Sequence, residues 1–359
     1  MVLRKAKDIL FRPFRFLRDQ MIASIKKKAL VRESGRVILG MFLYRRFQKR
    51  FGTNTHIICI RGATGDVYLQ FLLLDEYLRQ TGIKDFTIIG DGGGVIQLAT
   101  LFGLSNVEFV QTRDLERMEK SYLFFGGQWD NIIIPFCWSK NFSAINQCRL
   151  RMMNEFNFMD TYYYFSYGIE PPAQYRMPNF PEIKEQQIFA WESLGIIKGR
   201  TIIISPDANS VTALPVWFWN GIIKQLQQRG YTVFMNCNYF TYFRAQNLFP
   251  AYMDCVPMLE YAGYFIGVRS GFCDIISSAK CRKVIIYPAK QKKPNYSFHR
   301  TELEFSGLEV MDLYHGDDLT EISTPLIKNI TDRDLRLSGT KDYFNAMESL
   351  HKQILAVFD

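Results

Sequence analysis

Two short turns carry the residue types best suited to chemistry. The first is Arg61-Gly62-Ala63-Thr64-Gly65-Asp66. Its glycines allow a tight turn and leave room for a ligand. An aspartate at such a place can take a proton from an attacking hydroxyl. It can equally cap or complement a helix N-terminus, and the local pattern leaves both readings open. The second turn is Gly267-Val268-Arg269-Ser270-Gly271-Phe272-Cys273-Asp274. A helix opening at Gly271 presents free amides and the positive end of its dipole. Arg269 adds a permanent cation suited to a diphosphate. Asp274, on the first turn, could bond a ribose or sugar hydroxyl or simply favour the dipole. An arginine at a strand end also serves as an ion-pair residue, so the anion site competes with a structural pair.

Other signals are weaker. Ser205-Pro206-Asp207-Ala208-Asn209-Ser210 offers small polar groups and amides to a phosphate. Gly90-Asp91-Gly92-Gly93-Gly94 superficially resembles the cofactor turn of methyltransferases or dinucleotide enzymes, but its spacing is wrong and it does not follow a first strand. Asp332-Arg333-Asp334 has the form DxD, yet it lies in a polar segment with no strand before it. The four histidines are scattered and no zinc spacing occurs, so no metal site is expected. The aromatic run that includes Tyr162, Tyr163, Tyr164, Phe165 and Tyr167 reads as packing rather than sugar stacking.

These turns need strands before them and helices after them. Apolar runs at 56–61, 86–90, 107–110 and 131–136 read as buried parallel strands, with helices over 65–80 and 95–102. Prolines 171, 172, 178 and 181 mark a linker. A second series follows, with strands at 201–205, 231–236, 264–268 and 283–287. Its helices fall at 216–229, 271–278 and 341–358. The chain therefore divides as a basic helical arm over 1–50, an α/β domain over 51–180, a second α/β domain over 181–340 and a C-terminal helix over 341–359. Two such halves place a ligand between them, at the C-terminal ends of the strands.

Charge is unevenly placed. Residues 1–50 hold 15 Lys/Arg against 3 Asp/Glu, whereas the remaining 309 hold 29 against 32. The body thus has no basic surplus for nucleic acid. Leu10, Phe14, Leu17, Met21 and Ile25 fall on one face of a helix over 8–31, so residues 1–35 could lie on an anionic membrane or pack on the body. Seven cysteines, odd in number and without CxxC spacing, read as reduced thiols of a cytoplasmic protein, peripheral on the inner face of the plasma membrane if the arm binds lipid. No signal peptide or spanning segment is expected.

In this order the blocks resemble a family. Gly65-Asp66 after the first strand is similar to a loop of bacterial heptosyltransferases. Ser205-Pro206 with Leu214-Pro215 and Trp217, and Ala262 through Gly271, resemble their donor domain. Arg269-Ser270-Gly271 also resembles the diphosphate segment of fucosyltransferase-like enzymes. The resemblance implies two Rossmann-like domains facing a cleft (GT-B), with acceptor in the first and donor in the second. It implies an inverting, metal-independent transfer of a hexosyl or heptosyl group from a nucleotide-sugar to a glycan or lipid-linked acceptor, as in cell-surface polysaccharide synthesis. Asp66 would be the base. Arg269, Ser270, Gly271, Asp274, Asn209 and Ser210 would hold the donor, with Arg61, Thr64 and Gly65 on the acceptor side. The sequence lacks the lysine of that family's donor loop and its Asp-Thr-Gly-His signature, which argues against an ADP-heptose donor. An S-adenosylmethionine-dependent methyltransferase and a non-catalytic membrane-associated subunit are the rival readings.

Overall fold

The computed structural model describes residues 33–125, 129, 131–135, 161–170, 175–208, 214–237, 243–287, 319–323 and 341–358. Residues 33–51 form helix α1. Then come β1 (His56–Ile60), α2 (Thr64–Thr81), β2 (Phe86–Gly90), α3 (Gly93–Leu101), β3 (Val107–Phe109), α4 (Thr112–Phe124) and β4 (Ile132–Ile133). A π-helix at Thr161–Tyr167 and α5 (Glu185–Ser193) lead into the second unit. That unit comprises β5 (Thr201–Ser205), α6 (Val216–Gln228), β6 (Thr232–Met235), β7 (Gln246–Asn247), α7 (Tyr252–Ala262), β8 (Gly263–Val268) and α8 (Gly271–Ile275). It ends with β9 (Arg282–Tyr287), β10 (Leu319–Ser323) and α9 (Lys341–Ala356).

The expected α/β class holds. Both sheets are parallel throughout. The first is ordered β3-β2-β1-β4 and the second β10-β9-β8-β5-β6-β7. Counted within its own unit, the second sheet has the 3-2-1-4-5-6 order of a full doubly wound fold, and the first has its 3-2-1-4 portion. Parallel strands covered on both faces need continuous apolar sequence. The central strands supply it, with Ile57, Ile58, Cys59 and Ile60 of β1 and Ile202, Ile203 and Ile204 of β5 buried.

Alternate side chains of each strand go to opposite layers. Ile57, Cys59 and Ile89 pack under α1 and α4, together with Phe47, Leu115 and Met118. Ile202, Ile204, Val233, Ile266 and Val284 pack under α6 and α9, where Trp219, Ile223, Leu350 and Ile354 meet them. The remaining faces share one cluster. Ile58, Ile60 and Ile88 of the first sheet belong to the same buried group as Ile203, Phe265 and Ile285 of the second, joined through α2, α3, α7 and α8. The two units therefore share an apolar interface.

The C-terminal helix forms as expected and packs on the second sheet. The aromatic run is packing, as read: Tyr162, Tyr163 and Tyr167 of the π-helix are buried against the interface cluster. One segment differs from the sequence reading. Part of the segment read as a basic arm, α1, is packed on the first unit. There Ser121 on α4 donates to the Val37 carbonyl and Tyr44 stacks on Trp129 at 4.3 Å. The amphipathic helix expected over 8–31 and the DxD at 332–334 lie outside the described residues.

Candidate active site

In a doubly wound sheet, ligands bind beyond the strand C-termini where the strand order reverses. In the first unit that point lies between β1 and β4, in the second between β5 and β8. The turn after β1 and the turn after β8 are the two singled out from the sequence, and the fold brings them into contact. A Cβ built on Gly271 would lie 2.3 Å from the Gly65 amide nitrogen and 2.9 Å from its Cα. One built on Gly65 would lie 2.5 Å from Asp274 Oδ2 and 2.9 Å from Gly271 Cα. The starts of α2 and α8 thus touch backbone to backbone, and any side chain at either glycine must push them apart.

Asp66 sits in the first turn of α2. Its Oδ2 accepts from the Ala63 amide at 3.0 Å, which is the capping role weighed from the sequence. Its Oδ1 accepts from the Tyr162 hydroxyl at 2.8 Å, across 96 residues of chain. Crowding by protein lifts the carboxyl from 3.8 to about 6. The two hydrogen bonds and Arg269 oppose that rise, while Asp274 adds to it. A carboxylate with this basicity is poised to accept a proton near neutral pH. Gly62, at φ 132°, lets the turn close over it, since a Cβ there would meet Asp66 Cβ at 2.8 Å. Gln70 fixes the same turn, with Nε2 donating to the carbonyls of Arg61 and Asp66 at 2.8 and 2.9 Å. Gly62 and Ala63 are exposed, so this side of the junction is open to solvent.

Arg269 and Asp274 hold each other. Arg269 Nη2 donates to Asp274 Oδ1 at 2.5 Å and Nη1 to Oδ2 at 3.0 Å, in the two-pronged geometry of strong pairs. Nη1 also reaches the Ser270 carbonyl at 2.5 Å. The side chains are only 8% and 4% exposed. Burial raises the Asp274 carboxyl and Arg269 opposes the rise. In this state the ion-pair reading of Arg269 is realised: its fork is occupied by an acid of the same turn.

The other expected residues divide. Arg61 is paired with Glu119 on α4, so its guanidinium is directed to the far face of the first sheet. Thr64 Oγ1 lies 3.3 Å from the Tyr252 hydroxyl at the start of α7, a polar link between the units. Ser270 and Gly271 are partly exposed at the junction. Asn209 and Ser210 lie outside the described residues. Tyr162, Gln70 and Tyr252 were not found from the sequence. The tyrosines had no signal beyond the aromatic run and an ordinary helix start. The glycines at 92–94 form the bend into α3, with Gly92 at φ 83°, and they follow β2. The five described cysteines, 59, 237, 255, 273 and 281, are buried. Among the described residues no group of three or more His, Cys, Asp or Glu comes together as a metal site, and no helix is long and apolar enough to cross a membrane.

No family model matches the sequence, nor does any curated protein. Several solved structures are similar in chain path. ADP-heptose lps heptosyltransferase II of E. coli is 12% identical, with 83% of this chain and 99% of that chain covered and a TM-score of 0.44. A glycosyl transferase family 9 protein from Veillonella parvula DSM 2008 is 11% identical, with 83% and 97% covered and a TM-score of 0.45. A protein assigned as a UDP-N-acetylglucosamine 2-epimerase from Listeria monocytogenes is 10% identical, with 72% and 87% covered and a TM-score of 0.41. At such values the likeness concerns the path of the chain and gives no role to any side chain.

Proposed function

We propose that this chain moves a sugar from a nucleotide-diphosphate donor to a hydroxyl of a glycan or lipid-linked acceptor, with inversion and without a required metal. The observation that carries the reading is Asp66. It stands where the switch points of two doubly wound units meet, with its carboxyl pushed up to about 6. In the proposed step Asp66 takes the acceptor proton as the hydroxyl oxygen attacks the anomeric carbon. The bond from that carbon to the diphosphate oxygen breaks, and the pair of electrons leaves with the nucleoside diphosphate. Tyr162 holds the carboxylate in place. The leaving charge is met by Arg269 and by amides around Ser270 and Gly271. For Arg269 this requires exchanging at least one prong of its pair with Asp274 for a phosphate oxygen. Donor contacts from Asn209 and Ser210 belong to the same reading. A lipid-linked acceptor suits cell-surface polysaccharide assembly at the inner face of the plasma membrane.

The test is a thermal-shift screen of the purified chain against UDP, GDP, ADP, CMP and S-adenosylmethionine. A ligand bound only by the folded state at a hundred times its dissociation constant adds about 2.7 kcal/mol. One nucleoside diphosphate is expected to raise the melting temperature clearly above the others. Stabilisation by S-adenosylmethionine alone would replace this reading with the methyltransferase. A flat response to every compound would favour a non-catalytic subunit.

A further inference from the structure

Helix α1 has one face on the body and another that is exposed. Toward the body, Gly40 lies against the backbone of Arg117, Ser121 bonds the Val37 carbonyl, and Phe47 is buried. On the other side Ile38, Leu39 and Phe42 are 52%, 45% and 63% exposed. Single exposed apolar residues are ordinary, but a contiguous set on one helix face marks a contact surface. Arg45, Arg46 and Lys49 continue that face by helical spacing and are exposed. Arg36 and Arg50 of the same helix are paired with Glu33 and Glu108, whereas Arg45, Arg46 and Lys49 make no ion pair among the described residues. Phe124 and Phe125, one turn beyond the Ser121–Val37 contact, expose two more aromatic rings.

We infer that the outward face of α1, formed by Ile38, Leu39, Phe42, Arg45, Arg46 and Lys49, seats on an anionic lipid surface. An apolar strip flanked by unpaired cations is the pattern of a helix lying in the headgroup plane, where side chains enter the acyl boundary and cations meet phosphate. The 32 residues before α1 carry 10 Lys/Arg against 2 Asp/Glu, so the charge that favours such a surface runs on without a break. The position also fits: α1 covers the face of the first sheet turned away from the second unit, leaving the α2–α8 junction clear. The inference is independent of the reaction proposed above.

The experiment is co-sedimentation of the full chain with vesicles of phosphatidylcholine alone and of phosphatidylcholine mixed with phosphatidylglycerol. The wild type is compared with two triple variants, Ile38→Ser/Leu39→Ser/Phe42→Ser and Arg45→Glu/Arg46→Glu/Lys49→Glu. All six side chains project from the body, and unchanged melting temperatures confirm that the variants fold. The wild type should sediment with the mixed vesicles only. The charge-reversed variant should lose about a hundredfold in partitioning, at roughly fivefold for each cation removed. The serine variant should lose at least about tenfold. Failure of the wild type to bind, or variants that bind as it does, would overturn the inference. So would light scattering that finds a wild-type dimer turned to monomer by the serine changes, because a second copy would then cover the face.

Discussion

Replacing Asp66 by Asn is expected to lower sugar transfer by about 10²–10⁴-fold while nucleotide binding survives. Asparagine keeps the volume and can still accept from the Tyr162 hydroxyl, but it cannot take a proton. Its amide cannot also face the Ala63 amide without setting donor against donor, so one hydrogen bond is lost, at a cost of about 1 kcal/mol. The measurement is the rate of nucleoside diphosphate release with the donor class found by the thermal screen. The pH profile sharpens it. A base must be ionised to act, so the wild-type rate should climb as pH rises through about 6 and level off above. Tyr162→Phe removes a hydrogen bond that favours the charged carboxylate, so its limb should move to higher pH, with activity largely recovered on the plateau. A rate for Asp66→Asn within a few-fold of wild type would place the base elsewhere. An unmoved limb in Tyr162→Phe would remove the tyrosine's role in holding it.

Arg269→Ala should cost about 3–5 kcal/mol of stability, since it strands the Asp274 carboxylate in a buried site. The joint change Arg269→Met/Asp274→Leu removes both charges and should be close to neutral, or even stabilising. Urea unfolding of the two variants separates these outcomes. The sign with pH follows from the stranded acid. With its cation gone, Asp274 has a folded pKa above its unfolded value of about 3.9. The folded state then binds the proton more tightly, so the deficit is greatest at neutral pH and narrows as pH falls toward about 4. If Arg269 also serves the donor phosphates, the double variant should be stable yet fail to respond to the nucleoside diphosphate. A double variant that still responds would assign Arg269 to the fold alone.

What could be read from the sequence was whatever neighbouring residues decide. Strands such as 57–60 and 202–204 are legible because a strand covered on both faces has no polar side to interrupt the run. The turn at 61–66 is legible because Gly62, at φ 132°, marks the bend from strand to helix, and that at 267–271 because an apolar run gives way to Arg-Ser-Gly. Edges were harder. β7 is two exposed polar residues, and β10, Leu-Thr-Glu-Ile-Ser, reads as a loop until it is paired with β9. Pro257 hides α7, because proline inside a helix argues against one. The cations of α1 made it resemble a free arm, although Gly40 and Phe47 are its anchors. The site was half visible. Asp66, Arg269 and Asp274 were named, but the local pattern could not decide whether Arg269 would face a ligand or its neighbour five residues on. Tyr162 and the meeting of Gly65 with Gly271 depend on tertiary approach, which no local spacing encodes.

The apolar cluster common to both sheets bears on how the molecule melts. Two units joined by a flexible linker lose their structure separately, and each has its own heat-absorption peak. Here Ile58 and Phe265, from different sheets, belong to one buried group, so neither unit can open without exposing the apolar flank of the other. Calorimetry should therefore find a single transition, with calorimetric and van't Hoff enthalpies in agreement. Heat stabilisation won by a nucleotide at the second unit would then be shared by the first sheet, and a cavity cut beneath α2 would lower the melting temperature of the second sheet as well.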